Sequence, residues 1–134
     1  MHIPFCKSRC KYCDFFSTTH LEKQTQYTEA VLSEWSDRRK ELMGGIQTIY
    51  IGGGTPSTMS VELLRRIIGA IKPDTQNAEI EVTMEANPGD ITLEKARAWR
   101  EIGINRLSIG IQSFNDHLLQ LIGRRHNAAE AIQA

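Results

Sequence analysis

The stretch Ile46-Gln47-Thr48-Ile49-Tyr50-Ile51-Gly52-Gly53-Gly54-Thr55-Pro56 decides the architecture. Residues 46–51 are rich in β-branched side chains and read as a strand, which the three glycines end. Behind it, Leu63, Leu64, Ile67, Ile68 and Ile71 recur at helical spacing, with Ser60 placed to cap the helix. A strand, a glycine turn and an amphipathic helix make most of a βαβ unit, and the pattern repeats on both sides. Downstream, residues 80–86 alternate apolar and polar and stop at Asn87-Pro88-Gly89. Thr92 then starts a helix carrying Leu93, Ala96, Trp99 and Ile102, with Gly103 as its C-terminal stop. Residues 105–111 read as another strand, and Leu118, Leu119 and Ile122 as a short helix ending near Gly123. Upstream, Val31, Trp35 and Leu42 mark a longer helix over 27–43, and residues 1–5 form a first strand. Strands alternating with helices predict an α/β fold with a parallel sheet.

Four strand–helix units are countable, and residues 127–134 begin like a new helix. A closed eightfold barrel needs about 250 residues. The 134 residues therefore read as about the first half of such a barrel, cut short at its C-terminal side. Two strands carry a polar parity: Glu81, Thr83 and Glu85 on one, Ser108, Gly110 and Gln112 on the other. Strands covered by helices on both faces are apolar throughout. A face of carboxylate, hydroxyl, amide and glycine suits a lumen holding a polar ligand; a plain solvent-exposed sheet face is the alternative.

Composition narrows the function classes. Sixteen Lys and Arg balance sixteen Asp and Glu, which argues against a dedicated nucleic-acid binder. A hydrophobic content of 40% supports a core and excludes wholesale disorder. No apolar run approaches the roughly 20 residues that cross a bilayer. The first residues show no secretory signal.

All three cysteines, Cys6, Cys10 and Cys13, fall within eight residues as C-x3-C-x2-C. The odd count and tight spacing make a poor disulfide framework and point to a metal or cluster site in a reducing, cytoplasmic compartment. Three thiolates on one loop can hold three irons of a [4Fe–4S] cube and leave the fourth iron open for chemistry. Lys7, Arg9 and Lys11 supply positive charge beside such an anionic cluster. Zinc, with His2 or His20 as fourth ligand, is one alternative, although the usual second ligand pair downstream is missing. A redox-sensing group of thiols is another. The glycine run is not a P-loop, because no Gly-Lys-Ser/Thr follows it.

With these residues in hand the sequence resembles the radical S-adenosylmethionine (radical SAM) superfamily. Within it, the chain is similar to oxygen-independent coproporphyrinogen III oxidases and their relatives, the radical SAM haem chaperones. His2-Ile3-Pro4-Phe5-Cys6 with Cys10, Tyr12 and Cys13 carries the resemblance first. Residues 49–57, Glu85-Ala86-Asn87-Pro88, residues 103–114 and Arg124-Arg125-His126 continue it in the same order. The resemblance implies a partial (β/α) radical SAM barrel, with residues 1–134 as the N-terminal part of the core domain. It implies a [4Fe–4S] cluster on Cys6, Cys10 and Cys13, whose open iron chelates S-adenosylmethionine. Reductive cleavage of that cofactor yields a 5′-deoxyadenosyl radical. It further implies cofactor contacts from Gly53, Gly54 and Thr55 along the amino end, Glu85 on the ammonium or ribose, Gln112 through its amide and Arg124 on the carboxylate. Tyr12 would lie near the adenine. The competing readings are an ordinary strand-to-helix turn for the glycine run, packing under the loop for Tyr12, and an ordinary surface role for Glu85, Arg124 and Arg125; Arg125 points away from Arg124 if the segment is helical. His2 and His126 belong to the pattern but receive no catalytic role.

The oxidases carry a fourth cysteine two residues after the third, where this chain has Phe15 in Cys13-Asp14-Phe15. That favours the haem-chaperone branch, implying haem binding and delivery to target proteins. The alternative is oxidative decarboxylation of coproporphyrinogen III to protoporphyrinogen IX; a small zinc-binding interaction module is the reading from another class. Either radical SAM branch implies an electron donor as partner. A tyrosine that the family places just before Met1 is absent, and the resemblance puts further contacts and a C-terminal domain after Ala134.

Overall fold

The computed structural model describes residues 1–42, 44–76 and 79–134. Four strands, β1 (His2–Ile3), β2 (Thr48–Gly53), β3 (Glu81–Ala86) and β4 (Arg106–Ile109), form one parallel sheet in the order β1-β2-β3-β4. Helices α1 (Gln24–Arg38), α2 (Val61–Ile71), α3 (Leu93–Glu101), α4 (Asp116–Leu121) and α5 (Ala128–Gln133) alternate with them. Spatial order equals sequence order, so the sheet has no reversal at which a doubly wound fold would place its ligand. It is part of a singly wound β/α barrel, whose ligands sit at the C-terminal ends of the strands. Among the described residues, no helix is long and apolar enough to cross a membrane.

Strand parity divides the sheet. Ile49 and Ile51 of β2 and Val82 and Met84 of β3 are buried in one core with Leu64, Ile67, Ile68 and Ile71 of α2 and Trp99 of α3. The α2 stripe follows i, i+3, i+4, i+7, and each fully buried Leu or Ile contributes roughly 1.5–3 kcal/mol. Ser60 caps α2 by accepting a hydrogen bond from the Leu63 amide. Ser60→Ala is expected to cost about 1 kcal/mol and to lower the melting temperature by about 4 °C, read by thermal denaturation. Thr92 caps α3 in the same way, and Gly103 follows it at φ 103°.

On the opposite parity, Tyr50, Glu81, Arg106 and Ser108 are exposed and Glu85 is half-buried. Thr83 shares this parity yet is buried. Its register partners explain that: Tyr50 flanks it on β2 and Arg106 on β4, and Arg106 leans over to pair with Glu81 at 3.0 Å.

Several boundaries differ from the sequence expectation. β2 begins at Thr48 and runs into Gly52 and Gly53, because β1 pairs His2 with Gly52 and Ile3 with Gly53. Ile46 makes only an isolated bridge to Thr75. β1 is two residues long, and Phe5 bridges to Thr18 instead. β4 is shorter than 105–111. At its start the Asn105 amide donates to Val82 O at 3.1 Å, while the Asn105 side chain takes up the Val82 amide and the Ile80 carbonyl, each at 2.8 Å. Helix α1 starts at Gln24 and tightens into a 3-10 turn over Arg39–Glu41 before an extended Leu42. The Met43 end of the expected helix lies outside the described residues.

Candidate functional site

The C-terminal strand ends and the cysteine loop enclose a cavity of about 250 Å³. Its wall includes Cys6, Cys10, Cys13, Tyr12, Gly53, Gly54, Thr55, Glu85, Gln112 and Arg124. The three cysteines and the seven residues named as S-adenosylmethionine contacts thus line the same space, whereas His2 and His20, the alternative zinc ligands, do not.

Main-chain bonds fix the loop. The Cys6 amide donates to Thr18 O at 2.9 Å and the Thr18 amide to Pro4 O at 2.7 Å. From the glycine turn, the Gly54 and Thr55 amides donate to Ile3 O and Phe5 O, carrying the β1–β2 pairing into the turn. The Lys11 amide reaches Ile122 O at 3.0 Å, so the segment after α4 closes the far side. Gly54 allows the close crossing. A Cβ there would stand 2.9 Å from Phe5 O and 3.0 Å from Cys6 Sγ. Gly53 adopts φ 121°, where its Cβ would strike the His2 ring at 2.5 Å.

The three thiols are all free, but their settings differ. Cys6 is buried, with Sγ 3.3 Å from Thr55 Oγ1. Cys10 is half-buried and its Sγ accepts from Arg124 Nη1 at 3.5 Å. Cys13 is exposed. Among the described residues, no three His, Cys, Asp or Glu side chains converge where a single ion would sit. His2 Nε2 is bonded to Phe16 O, and His20 is paired with Glu22. The soft donor set, three thiols with a hydroxyl against Cys6 and a guanidinium donor on Cys10, fits a thiolate-ligated cluster spanning the loop.

Glu85 is held at both oxygens. Tyr50 Oη donates to Oε1 at 2.6 Å, and the Gly53 amide donates to Oε2 at 3.0 Å. Gln112 lies beyond β4 in a left-handed conformation, φ 66°, rather than ending a strand. The buried His126 ring supports that turn: its Nε2 is 3.0 Å from Ile111 O, so it carries the proton and donates. Burial, with Arg124 nearby, holds the His126 imidazole below its ordinary pKa. Arg124 also donates to Gly110 O and so bridges the cysteine loop to the end of β4. Tyr12 is half exposed. Burial raises its phenol, and the Arg124 guanidinium opposes that.

Arg125 corrects one expectation. The chain between α4 and α5 is a turn, not a helix, so both arginines reach the cavity wall. Arg125 pairs with Asp90 at 2.9 Å, and Lys7 pairs with the same carboxylate at 2.8 Å. Lys7 is thus committed to Asp90 and is not a free charge beside the thiols. Ser57 Oγ donates to Asp90 Oδ2 at 2.9 Å and accepts from the Asn87 amide. Sequence reasoning overlooked Asp90, Ser57 and Tyr50. The parity of Tyr50, shared with Gly52 and facing the polar side, was the one available signal.

The comparisons with known proteins agree with this geometry. The profile of the radical SAM superfamily matches residues 1–134. The chain is similar to the heme chaperone HemW of Haemophilus influenzae, 41% identical over 144 residues and covering 100% of this chain and 37% of that protein. HemW of Bacillus subtilis is 41% identical over 133 residues, covering 94% of this chain and 34% of that protein. The chain thus spans about a third of the length of these curated relatives. Among solved structures, coproporphyrinogen III oxidase (HemN) from Escherichia coli, a radical SAM enzyme, superposes with a TM-score of 0.84 at 29% identity. That match covers 98% of this chain and 33% of the other.

Proposed function

The chain belongs to the radical SAM superfamily, and on that premise we propose that Cys6, Cys10 and Cys13 hold a [4Fe–4S] cluster beside a bound S-adenosylmethionine. One observation carries the reading: thiols, glycine turn, carboxylate, amide and guanidinium, far apart in sequence, line one cavity at the C-terminal strand ends. When bound, the cluster supplies one-electron reducing chemistry. The protein's own groups bind and orient. Gly53 and Gly54 give the cofactor's amino end close access to the backbone. Glu85 accepts from its ammonium or ribose, and Arg124 offers a guanidinium to its carboxylate. Gln112 contributes an amide that both donates and accepts, and Tyr12 offers a ring at the adenine. Arg124 donates to the Cys10 sulfur, and the Thr55 hydroxyl, 3.3 Å from the Cys6 sulfur, would donate to it once that thiol is a thiolate.

For the whole protein we propose haem binding and delivery to target proteins, with a separate electron donor. Relatives named as heme chaperones support this reading. So does Phe15, which stands where the resemblance puts the oxidases' fourth cysteine. The similarity to HemN favours a second reading, oxidation of coproporphyrinogen III.

Anaerobic reconstitution with iron and sulfide tests the site. About four irons per chain are expected, with an EPR signal that changes on adding S-adenosylmethionine. About one zinc per chain without inorganic sulfide would overturn the assignment. Haem titration of the protein, set against an assay for protoporphyrinogen IX, separates carrier from oxidase.

A further inference from the structure

Tyr50 and Gly52, which are not among the cofactor contacts named above, form an assembly with Glu85. We propose that Tyr50 is a positioning residue, which fixes the Glu85 carboxylate so that it meets the ammonium or ribose hydroxyls of S-adenosylmethionine in one orientation. The inference rests on the reading of Glu85 as a cofactor contact.

The geometry is specific. Tyr50 pairs in register with Thr83, so its ring must lean along the sheet by two residues to reach Glu85. Gly52 makes room for that lean. A Cβ at Gly52 would lie 2.7 Å from Tyr50 Cε1 and 3.0 Å from Glu85 Cδ. Gly52 is not in the left-handed region, so its lack of a side chain serves space and not backbone conformation. On the other flank, Ser108 pairs in register with Glu85. The bond to Glu85 raises the Tyr50 phenol above its ordinary value, so it remains a donor at neutral pH.

The consequence follows from hydrogen-bond capacity. A carboxylate offers about four lone-pair directions. Tyr50 and the Gly53 amide take one on each oxygen. The remaining directions stay available while rotation of the group is stopped. Ordering Glu85 during folding removes that cost from ligand binding. Tyr50 is 51% exposed, so its hydroxyl is not needed to build the core.

Tyr50→Phe keeps the ring and removes the donor. The reconstituted variant should hold parental iron and sulfide but bind S-adenosylmethionine about 3- to 10-fold more weakly, read from an EPR titration. Gly52→Ala should weaken binding as much or more, by pushing ring and carboxylate apart. In the protein without cluster or cofactor, the Glu85 side-chain carboxyl carbon should shift and broaden in the NMR spectrum of Tyr50→Phe. In a Glu85→Ala background, Tyr50→Phe should add no further loss. Parental affinity in Tyr50→Phe, or an equal loss with Glu85 absent, overturns the inference while the cofactor site stands. Failure of the parent protein itself to bind S-adenosylmethionine overturns the site reading, and this inference with it.

Discussion

Cys13→Ser is expected to unfold at the same denaturant concentration as the parent protein and yet keep less than about a tenth of its cluster iron. The two quantities separate because Cys13 is exposed and its side chain meets no described hydrogen-bond partner. An exposed substitution of this kind changes stability by about 0.5 kcal/mol or less. Because Cys13 is one of the three thiols proposed to hold the cluster, however, its loss would leave a corner of the cluster unheld. Cys6→Ser should differ. Cys6 is buried against Thr55 and the Gly54 turn, so a shorter, more polar side chain there costs about 1 kcal/mol besides the iron. Denaturation of the iron-free proteins gives one axis. Iron and sulfide per chain after anaerobic reconstitution give the other. Parental iron in Cys13→Ser would remove it from the ligand set and with it the three-cornered arrangement.

The contrast between these cysteines was not legible in their spacing. C-x3-C-x2-C says that three thiols share a loop, but their burial depends on what crosses beneath them. Here that is the glycine turn, some 50 residues away. The same division runs through the fold. Helices α2 and α3 could be read to their caps because Ser60, Thr92, Gly103 and the apolar stripes are local signals. The end of β2 could not. Gly52 and Gly53 read as a turn, and only pairing with β1 draws them into the sheet. β4 stops early for a matching reason: beyond Ile109, the chain turns to place Gln112 at positive φ, under a carbonyl bond from His126. The polar parity of β3 was legible, while the burial of Thr83 within it came from Tyr50 and Arg106 on neighbouring strands. Residues that touch the cavity stand in compact motifs. Residues that hold those motifs in place, Tyr50, Asp90 and His126, find their partners through the tertiary structure.

Asp90→Ala should cause the largest loss of stability, about 3 kcal/mol, or roughly 10 °C in melting temperature. The Asp90 side chain is 0% exposed and carries two ion pairs and the Ser57 hydroxyl. Truncation leaves three partners stranded. Lys7 and Arg125 retain 44% and 25% side-chain exposure, so water recovers part of their solvation and keeps the cost below the upper range for broken buried pairs. The pH dependence provides a second check. Burial alone would raise the Asp90 carboxyl, but the bonds from Lys7, Arg125 and Ser57 outweigh it and hold the group below its ordinary value. A depressed pKa means that this stabilisation is complete above the unfolded value, roughly pH 4, and is lost as pH falls through the lower folded value. The difference between parent and variant should therefore stay constant from neutral pH to about pH 5 and close on further acidification. A gap that widened with acid, or stayed under about 1 kcal/mol at neutral pH, would rule out the anchoring role. Lys7 directly follows Cys6, and Arg125 directly follows Arg124, so the carboxylate ties both rims of the cavity to the turn after β3. Asp90→Ala should thus lose cluster iron together with stability, whereas Cys13→Ser loses iron alone. That pairing separates a residue that holds the loop from one proposed to hold the metal.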